Sequence, residues 1–105
     1  MDDVDMAIRL DPRDAGAYNN RGMAYNNLGQ YKRAIEDWDE AIRLNPQDAD
    51  AYIIRGSAYN NLGKYERAIQ DFDEAIRPNP QSASAFYNRF IAYYNLCQYE
   101  RPIDD

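Results

Sequence analysis

The feature that most constrains this chain is repetition: residues 15–48 and 49–82 are nearly the same 34-letter phrase written twice. Laid on one another they agree at 24 of 34 positions, and 49–71 laid on 83–105 agree at 12 of 23. Self-similarity at a fixed period of this length implies an array of one supersecondary unit. No single unit can bury its own apolar face, so the units stack. The register reaches back to the N-terminus, where residues 1–14 align with 35–48 and Val4, Ala7 and Pro12 fall on Trp38, Ala41 and Pro46. One domain, 1–105, is therefore expected. It comprises the end of a truncated unit (1–14), two whole units (15–48 and 49–82) and a partial, degenerate third (83–105). A chain that opens inside a second helix also reads as a fragment of a longer array.

Within a unit the apolar spacing is helical throughout. Tyr18, Arg21, Gly22, Tyr25 and Leu28 recur at three and four residues and predict a first helix over 15–28, ended by Gly29 in the left-handed conformation that favours glycine. Tyr31, Ala34, Ile35, Trp38, Ala41 and Ile42 predict a second helix over 31–44 with one buried stripe. Asn45-Pro46 closes it, since a residue before proline avoids the helical region. The same pattern predicts a first helix ending at Leu62, a turn at Gly63 and a second helix around Tyr65, Ala68, Phe72 and Ala75. Asp39 and Arg43, four apart with the acid first, are expected to pair on the surface. No strand pattern, linker or low-complexity tract interrupts the series, so the fold class is all-α, an antiparallel helix-pair solenoid.

These words resemble the tetratricopeptide repeat, whose 34-residue pattern places an aromatic early in the first helix, then glycine and tyrosine, then alanine, an aromatic, alanine and a closing proline. The matching residues are Tyr18, Gly22, Tyr25, Ala34, Trp38, Ala41 and Pro46, and again Tyr52, Gly56, Tyr59, Ala68, Phe72, Ala75 and Pro80. The family's leucine before the glycine is arginine in every copy: Arg21, Arg55 and Arg89. The resemblance covers the whole chain and implies a superhelix with about two full repeats and a partial helix at each end. It also implies a non-enzymatic scaffold that binds a peptide or protein segment.

Several functions are excluded by composition. The chain has no histidine, which removes the usual general base, the commonest zinc ligand and every histidine-dependent triad. Ser57, Ser82 and Ser84 lack the context of an activated nucleophile. The words Asp37-Trp38-Asp39-Glu40 and Asp71-Phe72-Asp73-Glu74 lie on helices without a glycine-kinked loop. They read as a solvated face rather than a cation site. No catalytic residue, metal or cofactor is expected. Net charge is −6 with both signs interleaved, which argues against nucleic acid and against an anionic membrane. No apolar run approaches the length of a membrane span, and a single cysteine, Cys97, fits a reducing, cytoplasmic setting.

The resemblance places the binding surface on the concave face of the first helices. Its lining positions are Gly16, Asn19, Asn20, Met23, Asn26 and Asn27 in the first unit, and Asp50, Ile53, Ile54, Ser57, Asn60 and Asn61 in the second. The third contributes Ser84, Tyr87, Asn88, Ile91, Tyr94 and Asn95. The row is rich in asparagine, whose amide both donates and accepts and so suits the backbone of an extended peptide. Ile54 interrupts it. Members that clamp the C-terminal carboxylate of a chaperone use cations here, whereas Asn19, Met23, Ile54, Ser84 and Asn88 include none. Chaperone tails are therefore not expected as partners. The arginine row reads as a structural salt-bridge row, with carboxylate binding as the alternative.

The third copy departs from the pattern: Phe90 stands for the contact glycine, Cys97 for the turn glycine and Pro102 for an alanine inside the second helix. Overpacking at Phe90 and a helix-interior proline argue against a normal third pair. Two outcomes follow. Either residues 98–105 fray and the last first helix caps the stack, or Phe90, Ile91, Tyr93 and Tyr94 form an apolar face buried by another copy. The second, homo-oligomeric outcome is the one expected, and Pro78, in place of Leu44, adds a weak point at the end of its helix.

Overall fold

A computed structural model describes residues 2–100 of the chain and the side chains of 3–98. Six helices follow in order: α1 (Asp2–Leu10), α2 (Ala15–Asn27), α3 (Tyr31–Leu44), α4 (Ala49–Asn61), α5 (Tyr65–Ile76) and α6 (Ala83–Glu100). Each packs on the next, α4 also touches α6, and the molecule extends 56 × 29 × 18 Å, the elongated form of a stacked array.

Local chemistry sets the ends of these helices. Asp14 accepts from the backbone N–H of Gly16 at 3.0 Å and Ala17 at 3.4 Å, and Asp48 does the same for Asp50 and Ala51. In the third copy Ser82 takes this place, accepting from Ala85 at 3.2 Å. Gly29 and Gly63 turn the chain between paired helices at φ 76° and 77°, where a β-carbon costs about 1–2 kcal/mol. At the third such position stands Cys97, and no turn forms: α6 continues as helix to Glu100. The alternative outcome, fraying from residue 98, is thus contradicted for residues 98–100. Pro102 and the rest of 101–105 lie outside the described residues. At the other end of that repeat, α5 stops at Ile76, two residues before Pro78, whereas α3 reaches Leu44.

Trp38 and Phe72 are fully buried, ringed by Ala34, Ala58, Tyr59, Ala68 and Ala92. The contact that defines a helix pair is a ring on glycine. A β-carbon on Gly22 would meet the Trp38 indole at 2.7 Å, and one on Gly56 would meet the Phe72 ring at 2.7 Å. Leu28, expected on the apolar stripe, is instead 64% exposed, because it caps α2 just after the helix has ended.

Aspartates expected on a solvated face do something else. Asp37 and Asp71 are buried, and each binds the arginine sixteen residues before it in a two-pronged pair. Arg21 donates to Asp37 at 2.9 and 2.7 Å, and Arg55 to Asp71 at 2.9 and 2.6 Å. The third prong of each arginine reaches sixteen residues back to the preceding unit: Arg21 to Asp5 at 2.9 Å, Arg55 to Asp39 at 2.8 Å and Arg89 to Asp73 at 2.8 Å. Every Asp-aromatic-Asp word is therefore a staple. Its first acid closes its own repeat and its second ties in the next. Asp39 is consequently not the partner of Arg43, which pairs with Glu40 one residue nearer.

Candidate binding surface

The arginine row sits between rings. Arg21 lies 6.0 Å from the centroids of both Tyr18 and Tyr25, and Arg55 lies 5.7 and 5.9 Å from Tyr52 and Tyr59. Hydrogen bonds to Asp37 hold the Arg21 guanidinium above its ordinary range; for Arg55, burial pulls downward but the bonds to Asp71 outweigh it. Burial pushes the Asp71 carboxyl up while Arg55 opposes the shift. With both aspartates in place, neither guanidinium has a free fork for an incoming carboxylate. The structural reading holds for Arg21 and Arg55; among the described residues Arg89 pairs with Asp73 alone.

The positions assigned to the groove divide into three kinds. Gly16, Asn20, Met23, Asn27, Asp50, Asn61, Ser84, Tyr87 and Tyr94 are exposed. Asn19, Asn26, Ser57, Asn60, Asn88, Ile91 and Asn95 are half-buried, while Ile53 and Ile54 lean on the hydrophobic core instead of standing free. Three of the asparagines, Asn19, Asn26 and Asn60, carry a side-chain oxygen that is shielded from solvent and has no hydrogen-bond partner. Asn26 and Asn60 are the same position of successive repeats. Asn88 spends its NH2 locally, donating to the Ser84 carbonyl at 2.9 Å.

Among the described side chains of α6 the exposed large apolar ones are Phe86, Tyr87, Phe90, Tyr93 and Tyr94, with the Phe90 and Tyr94 rings stacked at 6.5 Å between centroids. Phe90 is 65% exposed. The overpacking foreseen for it does not arise, because no described helix covers that face. Phe86 was missed in the sequence. Its equivalents Tyr18 and Tyr52 donate their hydroxyls to the carbonyls of Pro12 and Pro46, both at 3.2 Å, a tether that phenylalanine cannot make. A separate cleft of about 310 Å3 is lined by Pro46, Gln47, Ala49, Tyr52, Glu74, Arg77 and Pro78 and includes none of the groove positions.

The tetratricopeptide repeat profile matches residues 25–83, more than half of the chain, and a second profile of the same description matches 5–36. The chain belongs to the tetratricopeptide repeat family. Solved members share its shape. The first such domain of Spaghetti (RPAP3), bound to the HSP90 peptide SRMEEVD, superposes with a TM-score of 0.88 at 27% identity, covering 91% of this chain and 76% of that one. The tetratricopeptide repeat domain of Arabidopsis OM64 gives 0.82 at 28%, covering 87% and 75%. MamA gives 0.86 at 29% over 90% of this chain, which spans only 51% of the MamA chain. No protein of curated function matches the sequence. Tetratricopeptide repeat domains are in general protein-interaction modules without catalytic function, and this chain has their architecture. Among the described residues no helix is long and apolar enough to cross a membrane.

Proposed function

We propose that this tetratricopeptide repeat chain is a non-enzymatic, cytoplasmic scaffold that holds an extended peptide or protein segment on the face shared by α2, α4 and α6. The observation that carries the proposal is the asparagine row of that face, with Asn20, Asn27 and Asn61 exposed and Asn26 and Asn60 half-buried beside them. An amide both donates and accepts, so a row of asparagines along one face suits the backbone of an extended peptide. The RPAP3 domain bound to a peptide supports the same use of the same architecture. The face carries exposed tyrosine and methionine for apolar contact, and binding needs no cofactor or metal.

Peptides selected for binding to the 105-residue chain are expected to lose affinity for Asn26→Ala and Asn60→Ala variants, by about 2- to 10-fold for each hydrogen bond removed. Undiminished binding to both would sink the proposal. Partner chemistry differs from that of the RPAP3 domain. Asn19, Met23, Ile54, Ser84 and Asn88 offer no cation, so SRMEEVD is expected to give no binding heat in calorimetry. A micromolar dissociation constant would overturn that exclusion.

A second reading, self-assembly, is favoured by one observation: among the described side chains of α6, four of the five exposed aromatics lie within Tyr87–Tyr94. Isolated exposed apolar residues need no explanation, but a contiguous row on one helix face marks a contact surface.

A further inference from the structure

Five arginines of this acidic chain, Arg21, Arg43, Arg55, Arg77 and Arg89, hold carboxylates. Lys32 and Arg33 are placed otherwise. Both are exposed in the first turn of α3, and among the described residues neither pairs with an acid, Glu36 one turn further along included. The Arg33 guanidinium is steadied instead by the Tyr25 ring, 5.5 Å from its centroid, a contact that leaves its planar fork of donors open to a carboxylate.

The two cations line a cleft of about 340 Å3 together with Gly29, Gln30, Tyr31 and Leu62. Tyr31 and Leu62 are half-buried and apolar, while Lys32, Arg33 and Gln30 are exposed. Leu62 belongs to the next repeat, where it caps α4, so the cleft bridges two units. Lys64, two residues further on, is exposed as well. The cleft also adjoins the proposed binding face. Helices α2 and α4 end on Asn26-Asn27 and Asn60-Asn61, and Gly29 and Leu62 follow within two residues.

We propose that this cleft receives an acidic side chain, Asp or Glu, of a protein segment held on the α2 and α4 face, at the point where the segment leaves the asparagine row. The aliphatic stem lies against Tyr31 and Leu62, and the carboxylate meets Lys32 and Arg33. The proposal rests on the scaffold reading and names the chemistry of the partner. Continuity with the face favours an acidic segment over a free anion, which gains nothing from the asparagines. Exposed charge pairs are individually weak, so the cleft adds to the hold of the face without replacing it. A chaperone tail that needs cations inside the groove gains no anchor here. The contacts are made by side-chain ends at the first turn of α3, and the rest of α3 and all of α5 are left untouched.

Calorimetry on the 105-residue chain tests this with two probes: a peptide taken from a random display selection, and the same peptide with each Asp and Glu replaced by Asn and Gln. The acidic form is expected to bind about 3- to 10-fold more tightly at low salt, and the difference is expected to shrink at high salt. Lys32→Gln combined with Arg33→Gln should erase the difference and leave the affinity of the amide form unchanged. Because Arg33 rests on Tyr25, Lys32→Glu serves as a second variant at an exposed side chain; it should weaken the acidic form and spare the amide form. Asn60→Ala should weaken both forms alike. Equal binding of the two forms to the wild-type chain, or an equal loss of both in Lys32→Glu, overturns the acidic site alone. Selection of no peptide, or binding indifferent to Asn26→Ala and Asn60→Ala, defeats the scaffold reading and this proposal with it. Displacement of the acidic form by inorganic phosphate, beyond that by chloride at equal ionic strength, shows a free-anion site and overturns the assignment to a protein segment.

Discussion

Phe72→Ala is expected to destabilise the chain by about 4 kcal/mol, the cost of deleting a fully buried ring whose space cannot collapse. The ring is completely buried, and on one side it rests on Gly56, which has no side chain to move into the void. For a domain of this size the loss corresponds to a fall in Tm of roughly 15–30 °C. Phe72→Trp is the matching control, because the preceding repeat already seats an indole on glycine at this place. It should cost less than about 1.5 kcal/mol. If thermal melts showed Phe72→Ala within a few degrees of wild type, the ring-on-glycine contact would not be what joins the helices of a pair.

The second large effect is expected at Asp71. Removing its carboxylate leaves the Arg55 guanidinium, itself mostly covered, without its two-pronged partner, and breaking such a buried pair costs about 3 kcal/mol. Asp73 offers the contrast. It also binds an arginine, Arg89, at 2.8 Å, but its side chain is 48% exposed. Asp73→Ala should therefore cost no more than about 0.5–1 kcal/mol. Denaturant midpoints of the two variants measure the difference. Equal losses would mean that the two acids of the word do not have the separate roles of closing one repeat and tying in the next.

How much of this was legible in the sequence depends on range. The 34-residue period reports the helix pairs, and Gly29 and Gly63 mark their turns, because hydrophobic spacing and a required left-handed residue are local properties. Buried stripes on α3 and α5 were legible for the same reason. The staple was not, since Asp37 reads locally as one more charge on an acidic helix. Only the observation that Arg21, Asp37 and Asp5 recur together, always sixteen apart, could have revealed it. At Cys97 a missing glycine was visible, but its consequence was not: without a residue suited to the left-handed turn, α6 simply continues. On the groove face, the type of residue was readable but its state was not. Ile53 and Ile54 are drawn onto the core by neighbours in other helices, and the stranded oxygens of Asn19, Asn26 and Asn60 emerge only when the packing around them is known.

The most direct test of the scaffold proposal is nuclear magnetic resonance of the 15N-labelled chain titrated with a peptide taken from a random display selection. The side-chain amides of Asn19, Asn26 and Asn60 are predicted to shift in a saturable way, with the backbone of α2 and α4 around them and little change on α3 and α5. Saturable shifts confined to α3, α5 or the connecting turns, with those three amides unmoved, would contradict it.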